Sequence, residues 1–197
     1  MNNSRRPRSK ESGYSLIEVI FATALLGIVS ITIFTLFVMG RRNVYSGKQA
    51  SQAVAIGTQV MEDLEPLNKQ MVYNGAFGIP DTDTGNAITL PRASGLAAPS
   101  FTNARIRSTD ATIVSGQSDI STENAPPGLL AKWTNMIQGK LANPSVTVIL
   151  IPDIDTASPV NNPPQFGTAQ LLHIRVFVRW TESTRQREVV LDTVKAF

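Results

Sequence analysis

Cysteine is absent from all 197 residues, and histidine occurs once, at His173. With no thiolate nucleophile and a single imidazole, the paired ligands of a zinc site and the usual nucleophile and base pairings are missing. The chain is therefore expected not to be an enzyme, and no metal site or other cofactor is expected. Without cysteine no disulfide braces the fold, so whatever holds it must be packing and hydrogen bonds. Aromatic residues make up 7% of the chain, and only Phe177 interleaves with the arginines of the carboxy-terminal hairpin, which leaves nucleic-acid binding by stacking unsupported. The surplus of 18 Lys/Arg over 15 Asp/Glu is small. Much of it comes from Arg5, Arg6, Arg8 and Lys10, set against Glu11 alone.

What the chain has in quantity is an uninterrupted uncharged run. Between Glu18 and Arg41 lie 22 uncharged residues, which as a helix cover about 33 Å, enough for a hydrocarbon core about 30 Å thick. Val19 opens the uncharged, mostly apolar span and Met39 closes it, so residues 19–39 are expected to be transmembrane. The four cations before the run hold the amino terminus in the cytoplasm and put everything after Gly40 on the other side. One carboxylate, Glu18, sits at the edge of this segment. A charge there is costly unless paired, which makes Glu18 a functional candidate in need of a cation. The run itself supplies none.

The octet Ser12-Gly13-Tyr14-Ser15-Leu16-Ile17-Glu18-Val19 resembles the processing site of type IV pilins and pseudopilins, most closely that of a minor pilin with a class III (prepilin) signal. The resemblance implies cleavage between Gly13 and Tyr14 by an inner-membrane prepilin peptidase, followed by methylation of the new amino terminus on Tyr14. Glu18 becomes the fifth mature residue, the acid thought in this family to neutralise the terminal amine of a neighbouring subunit during assembly. Tyr14 stands where Phe is commoner, and the run lacks the proline found within many major pilin helices. Loss of residues 1–13 would remove four of the 18 Lys/Arg and one of the 15 Asp/Glu, leaving 14 of each. The mature chain then has no net side-chain charge, and no nucleic-acid partner is expected.

The resemblance further implies other pilin or pseudopilin subunits and an inner-membrane assembly platform as partners. It places the chain in the bacterial inner membrane, single-pass with a periplasmic carboxy-terminal domain, and then in a filament. A minor pilin that primes or caps a type IV pilus is the first reading, a minor pseudopilin of a type II secretion system the second. A membrane-anchored periplasmic binding module that never polymerises is a third. A cleaved export signal fits poorly, because the apolar run is too long, no Ala-x-Ala-like site ends it, and Glu18 intrudes.

The apolar pattern beyond Arg42 changes. Ala50, Ala53, Val54, Gly57, Val60, Met61, Leu64 and Leu67 recur at spacings of three and four, predicting one apolar helix face. Pro66 should end the helix at Glu65. The expected divisions are a leader at 1–13, the assembly half of the helix at 14–40, its amphipathic half at 41–66, and an α+β domain at 67–197. Residues 73–130 read as a loop-dominated insertion with short extended pieces at 87–90, 104–107 and 112–114. A short helix is predicted over 129–141, covering the sheet. Val146-Thr147-Val148-Ile149-Leu150-Ile151 reads as a strand bounded by Pro144 and Pro152. Leu172, Ile174, Val176, Val178 and Trp180 alternate with His173, Arg175, Phe177, Arg179 and Thr181, predicting a strand with one buried face. A return strand after a turn at 182–186 completes a hairpin over 171–194. The expected fold is thus α+β, a long amino-terminal helix on a small antiparallel sheet.

Weaker patterns have plainer explanations. Asp81, Asp83 and Gly85 imitate a calcium loop, but Arg92 stands where the bidentate Glu belongs. Asp153 and Asp155 form the other acidic pair, in the carboxy-terminal loops where some major pseudopilins bind calcium; ordinary Asp-rich turns account for both. His173 reads as a solvated or hydrogen-bonded structural residue. Arg175, Arg179, Arg185 and Arg187 cluster on the hairpin, solvated, paired with Glu182 and Glu188, or facing an acidic partner.

Overall fold

The computed structural model describes residues 15–69, 71–72, 86–91, 97–110, 129–152, 166–167 and 169–197. The chain divides into two compact units, Met1–Tyr45 and Ser46–Phe197. Helix α1 runs Leu16–Leu64, followed by strands β1 (Asn86–Thr89) and β2 (Ser100–Ser108), helix α2 (Leu129–Ile137), and strands β3 (Ser145–Pro152), β4 (Leu171–Glu182) and β5 (Arg185–Ala196). The five strands form one sheet in the order β1-β2-β3-β4-β5, every neighbouring pair antiparallel. The architecture is α+β and pilin-like, a long amino-terminal helix with an antiparallel sheet.

Within the second unit, α1 buries a single stripe: Gln49, Ala53, Ile56, Gly57, Val60 and Leu64. Their spacings of three, four and one keep them on one side of a helix with 3.6 residues per turn. Val54 is 42% exposed, contrary to the face expected from sequence. It lies about 100° around the helix from Ala53, and Ile56 and the polar Gln49 occupy the stripe in its place. The stripe packs on Val146, Val148 and Leu150 of β3 and Leu172, Ile174, Val176, Val178 and Trp180 of β4, together with Trp133 and Ile137 of α2 and Leu141 just beyond it. The prediction that a short second helix covers the sheet holds, with α2 ending at Ile137 and Gly139 taking φ +73°, as helix exits favour.

The expectation of one buried face on β4 is corrected. Its opposite face carries a second cluster, in which Ile88, Leu90, Phe101, Ala104 and Ile106 gather over Ile149 and Phe177. Register explains the placement: Ile106 is opposite Ile149, and Thr147 opposite Phe177, so these side chains share the face away from α1. Between Asn86 and Ile88 the β1–β2 pairing shifts, and Asn103, at φ +54°, supplies the extra residue of a bulge that bends β2. Phe101 then meets Phe177 edge-on at 6.1 Å. The extended pieces expected at 87–90 and 104–107 correspond to β1 and β2, while 112–114 lies outside the described residues. Two-sided burial also explains why β3 reads as a continuous β-branched run, since a central strand covered on both faces does not alternate.

Charged groups distant in sequence close the domain. Pro66 stops α1, and its last carbonyls, on Leu64 and Glu65, accept hydrogen bonds from Lys195 Nζ on β5. That cation caps a helix whose own last turn contains no basic residue. Lys69 Nζ donates to the carbonyls of Gly167 (2.5 Å) and Ala169 (2.7 Å). Asp63, whose side chain is 8% exposed, accepts from Trp133 Nε1 at 3.1 Å and from Lys132 Nζ at 2.6 Å. It ties α2 to α1.

The helix glycines separate into packed and open ones. A Cβ on Gly57 would lie 2.3 Å from Leu191 Cδ1 and 3.4 Å from Val178 Cγ2, whereas one on Gly47 would meet nothing within 4 Å. Gly57 is therefore where the sheet approaches the helix backbone, and Gly47 is tolerated without a packing reason. In a fragment beginning at Arg42, which should fold because it contains both clusters, Gly47→Ala is expected to stabilise by about 1 kcal/mol. Gly57→Val should destabilise by about 1–3 kcal/mol through overpacking. Thermal melts read by circular dichroism check both; equal effects at the two sites would refute the distinction.

Candidate functional site

The first turn of α1 and the apolar turns after it form the candidate site. Ser15 O accepts the amides of Glu18 at 2.9 Å and Val19 at 3.3 Å, so the helix starts there and Glu18 occupies its third position. A carboxylate in a first turn faces the positive end of the helix dipole. Ser15-x-x-Glu18 is a helix-start spacing in its own right, a signal the sequence reading passed over. The Glu18 side chain is exposed and takes part in no ion pair among the described residues. Gly13 and Tyr14 lie outside the described residues.

From Leu16 to Met39 the large apolar side chains point outward on every side: Phe21, Leu26, Ile31, Phe34 and Phe37 are all more than 60% exposed. One helix among the described residues, Leu16–Leu64, is long and apolar enough to cross a membrane. The most apolar 18 residues of that helix have a mean hydropathy of 2.4, and none is buried within the chain. Four hydroxyls interrupt the run, and each is satisfied inside the helix. Thr23 donates to Val19 O or Ile20 O, Ser30 to Leu26 O, Thr32 to Ile28 O and Thr35 to Ile31 O, all at 2.8–2.9 Å. Back-bonded in this way, they present no orphan polar group to hydrocarbon. Glu18 thus carries the one polar side chain from Leu16 to Met39 that the helix does not satisfy by itself.

A family model described as the prokaryotic N-terminal methylation motif matches residues 8–39. The chain carries a class III prepilin signal. This signal is that of type IV pilins and pseudopilins, and the match takes in Arg8 and Lys10 of the leader, Gly13, Tyr14, Glu18 and the span to Met39. No curated protein and no solved structure matches the chain. The prepilin signal together with a single amino-terminal apolar helix is consistent with a membrane-anchored pilin, and it supports assembly with other pilin subunits and processing by a prepilin peptidase.

The other predicted residues separate on inspection. The arginine cluster is largely neutralised within the hairpin: Arg175 pairs with Asp192, Arg179 Nε with Glu188 Oε2 at 3.1 Å, and Arg187 Nε with Glu182 Oε2 at 2.8 Å. Arg175 and Arg179 also lie over the rings of Phe101 and Phe177, at 5.4 and 5.7 Å. The Arg179–Glu188 pair, with side chains 10% and 17% exposed, is the one screened least by solvent; the exposed Arg175–Asp192 pair contributes at most about 1 kcal/mol. His173 is exposed on the face away from α1. Asp81, Asp83, Gly85, Asp153 and Asp155 lie outside the described residues, and no group of three or more His, Asp or Glu among the described residues has metal-site geometry. Sequence reasoning missed Asp63, Lys69 and Lys195, because their partners are distant in the chain and only tertiary packing brings them together.

Glu182 connects the hairpin tip to α1. The Arg187 guanidinium, and after it the Ser46 hydroxyl, hold its carboxyl below the usual carboxylate range. A depressed folded-state pKa contributes stability that is present above the unfolded value, near 4.5, and is lost as pH falls through the folded value. The melting temperature of the wild type should therefore fall more steeply with acidification below pH 4.5 than that of Glu182→Gln. Parallel slopes in thermal melts across this range would show that the pairing has no linkage to folding.

Proposed function

We propose that this chain is a non-catalytic minor pilin subunit that primes or caps assembly of a type IV pilus-like filament through helix bundling. The supporting observation is the joining of a prepilin signal to a helix half that is apolar on all sides and buries nothing within its own chain. Such a surface needs lipid before assembly and other helices after it. In this reading residues 1–13 are a leader, 14–40 hold the subunit in the inner membrane and then enter the filament core, and 41–66 carry the periplasmic domain at 67–197. Cleavage between Gly13 and Tyr14 frees an amine on Tyr14, which is then methylated. Glu18 meets that amine on a neighbouring subunit, which supplies the cation that no described residue of its own chain provides. The role is structural, and no step of it requires a cofactor.

Processing is tested by intact mass of the membrane-extracted protein. The expected mass lacks residues 1–13 and carries one added methyl; full-length protein alone, in cells with active prepilin peptidase, would refute the reading. Scoring a deletion strain for both piliation and protein secretion then separates a pilus subunit from a subunit of a type II secretion system.

Glu18→Ala and Glu18→Gln should both be processed and inserted, yet enter filaments at least roughly tenfold less well. Leaving a buried cation unpaired costs several kcal/mol, and about 1.4 kcal/mol is already tenfold. Quantitative immunoblots of sheared filaments against membrane fractions measure this, and wild-type incorporation of both variants would make the acid incidental.

A further inference from the structure

Strand β5 ends the sheet, and its outer edge pairs with no described strand. All twelve of its residues pair with β4 in unbroken register, from Glu182 opposite Arg185 to Leu171 opposite Ala196. It contains no proline or bulge and runs for twelve residues, so three of the usual devices that blunt an edge, a proline, a bulge and shortness, are missing. Charge, the fourth, is largely used up elsewhere. Arg187, Glu188 and Asp192 are engaged by Glu182, Arg179 and Arg175 on β4, which weakens their repulsion of an incoming strand without removing it where a like charge lies directly opposite.

What remains on β5 has a definite pattern. On the face away from α1, Val190 and Val194 are 38% and 52% exposed. On the α1 face two cations keep their charge near opposite ends: Arg185, exposed at the hairpin tip, and Lys195, whose ammonium meets the neutral carbonyls of Leu64 and Glu65 and lies 5.8 Å from the Phe197 ring centroid. A second copy of β5 fits this edge badly. Because residues directly opposite must share a face, the long antiparallel self-registers are those centred on Val190 or Leu191. The first brings Arg185 against Lys195 and Glu188 against Asp192; the second brings Arg187 against Lys195. Like charges directly opposite destabilise a pair.

We infer that the β5 edge accepts, by strand addition, an extended segment of a non-identical filament subunit, apolar at alternate positions on one face and carrying a carboxylate near each end on the other. Backbone hydrogen bonds supply the attachment, Val190 and Val194 the apolar contact, and Arg185 with Lys195 the register. That the partner is a filament subunit rests on the proposed function; the preference for an acid-ended strand does not.

The test uses the full chain in detergent and three synthetic strands matched to β5 in length. One has valine at alternate positions on one face and a glutamate near each end on the other, the second has lysine for both glutamates, and the third has the sequence of β5. Titration calorimetry gives affinity, and amide hydrogen exchange shows where the strand binds. The glutamate strand should bind, protect β5 amides, and outcompete the lysine strand by roughly tenfold, the size expected when two end contacts turn from attraction to repulsion. Arg185→Glu, at an exposed position, should narrow or invert that preference, and Val190→Lys with Val194→Lys should abolish binding while leaving the melt unchanged. Equal affinity for the two charged strands, or binding without protection of β5, overturns the inference. Tighter binding of the β5 strand overturns it in favour of a second copy. None of these outcomes depends on leader processing, so failure here is distinguishable from failure of the pilin reading.

Discussion

The second compact unit depends on one contact, the stripe Ala53, Ile56, Gly57, Val60 and Leu64 of α1 against the β3–β4 face. Remove it and the sheet exposes Val146, Val148, Leu150, Ile174, Val176 and Val178 to water, each worth about 1.5–3 kcal/mol of burial. Against a typical total stability of 5–15 kcal/mol, the loss is decisive. Gly57 sets how near the sheet comes, because Leu191 occupies the space its missing side chain leaves. The polar contacts around this stripe are few and placed at its margins, where Asp63 fixes α2, Lys195 caps α1, and Glu182 bonds Ser46 at the hairpin tip.

The same helix meets a different constraint in its first half. Residues that would be core in a soluble protein have no sheet to cover them, and the hydroxyls among them turn back onto their own helix. A segment of this kind is stable in hydrocarbon, in which every backbone group must be satisfied internally. It is equally suited to close packing with other helices of the same kind. Glu18 breaks that self-sufficiency at one point, and the functional reading follows from it.

On the hairpin, charge is arranged to be consumed. Arg175, Arg179 and Arg187 each face an acid across one strand pair, so the cluster that stands out in the sequence contributes no broad basic field. Its effect is local, fixing β4 against β5 and seating two guanidinium groups on Phe101 and Phe177. Neutrality makes the β5 edge approachable.

The sequence by itself determined the features with a local cause. The prepilin signal, the apolar span to Met39, the stop at Pro66 and the β4–β5 hairpin all follow from motif, run length, proline geometry and period-two alternation acting within a few residues. It misjudged the stripe of α1 by one position at Val54, because apolar spacing gives a helix's period more reliably than its rotation. Only the tertiary structure decided that β4 is covered on both faces, since that depends on a bulge at Asn103 carrying Phe101 over Phe177, some 75 residues away in the chain. It alone paired Lys195 with the end of α1 and Asp63 with Trp133. Long-range hydrogen bonds of this sort leave no periodic trace, because each partner is an ordinary polar residue in its own neighbourhood and gains its role only when packing removes the water between them.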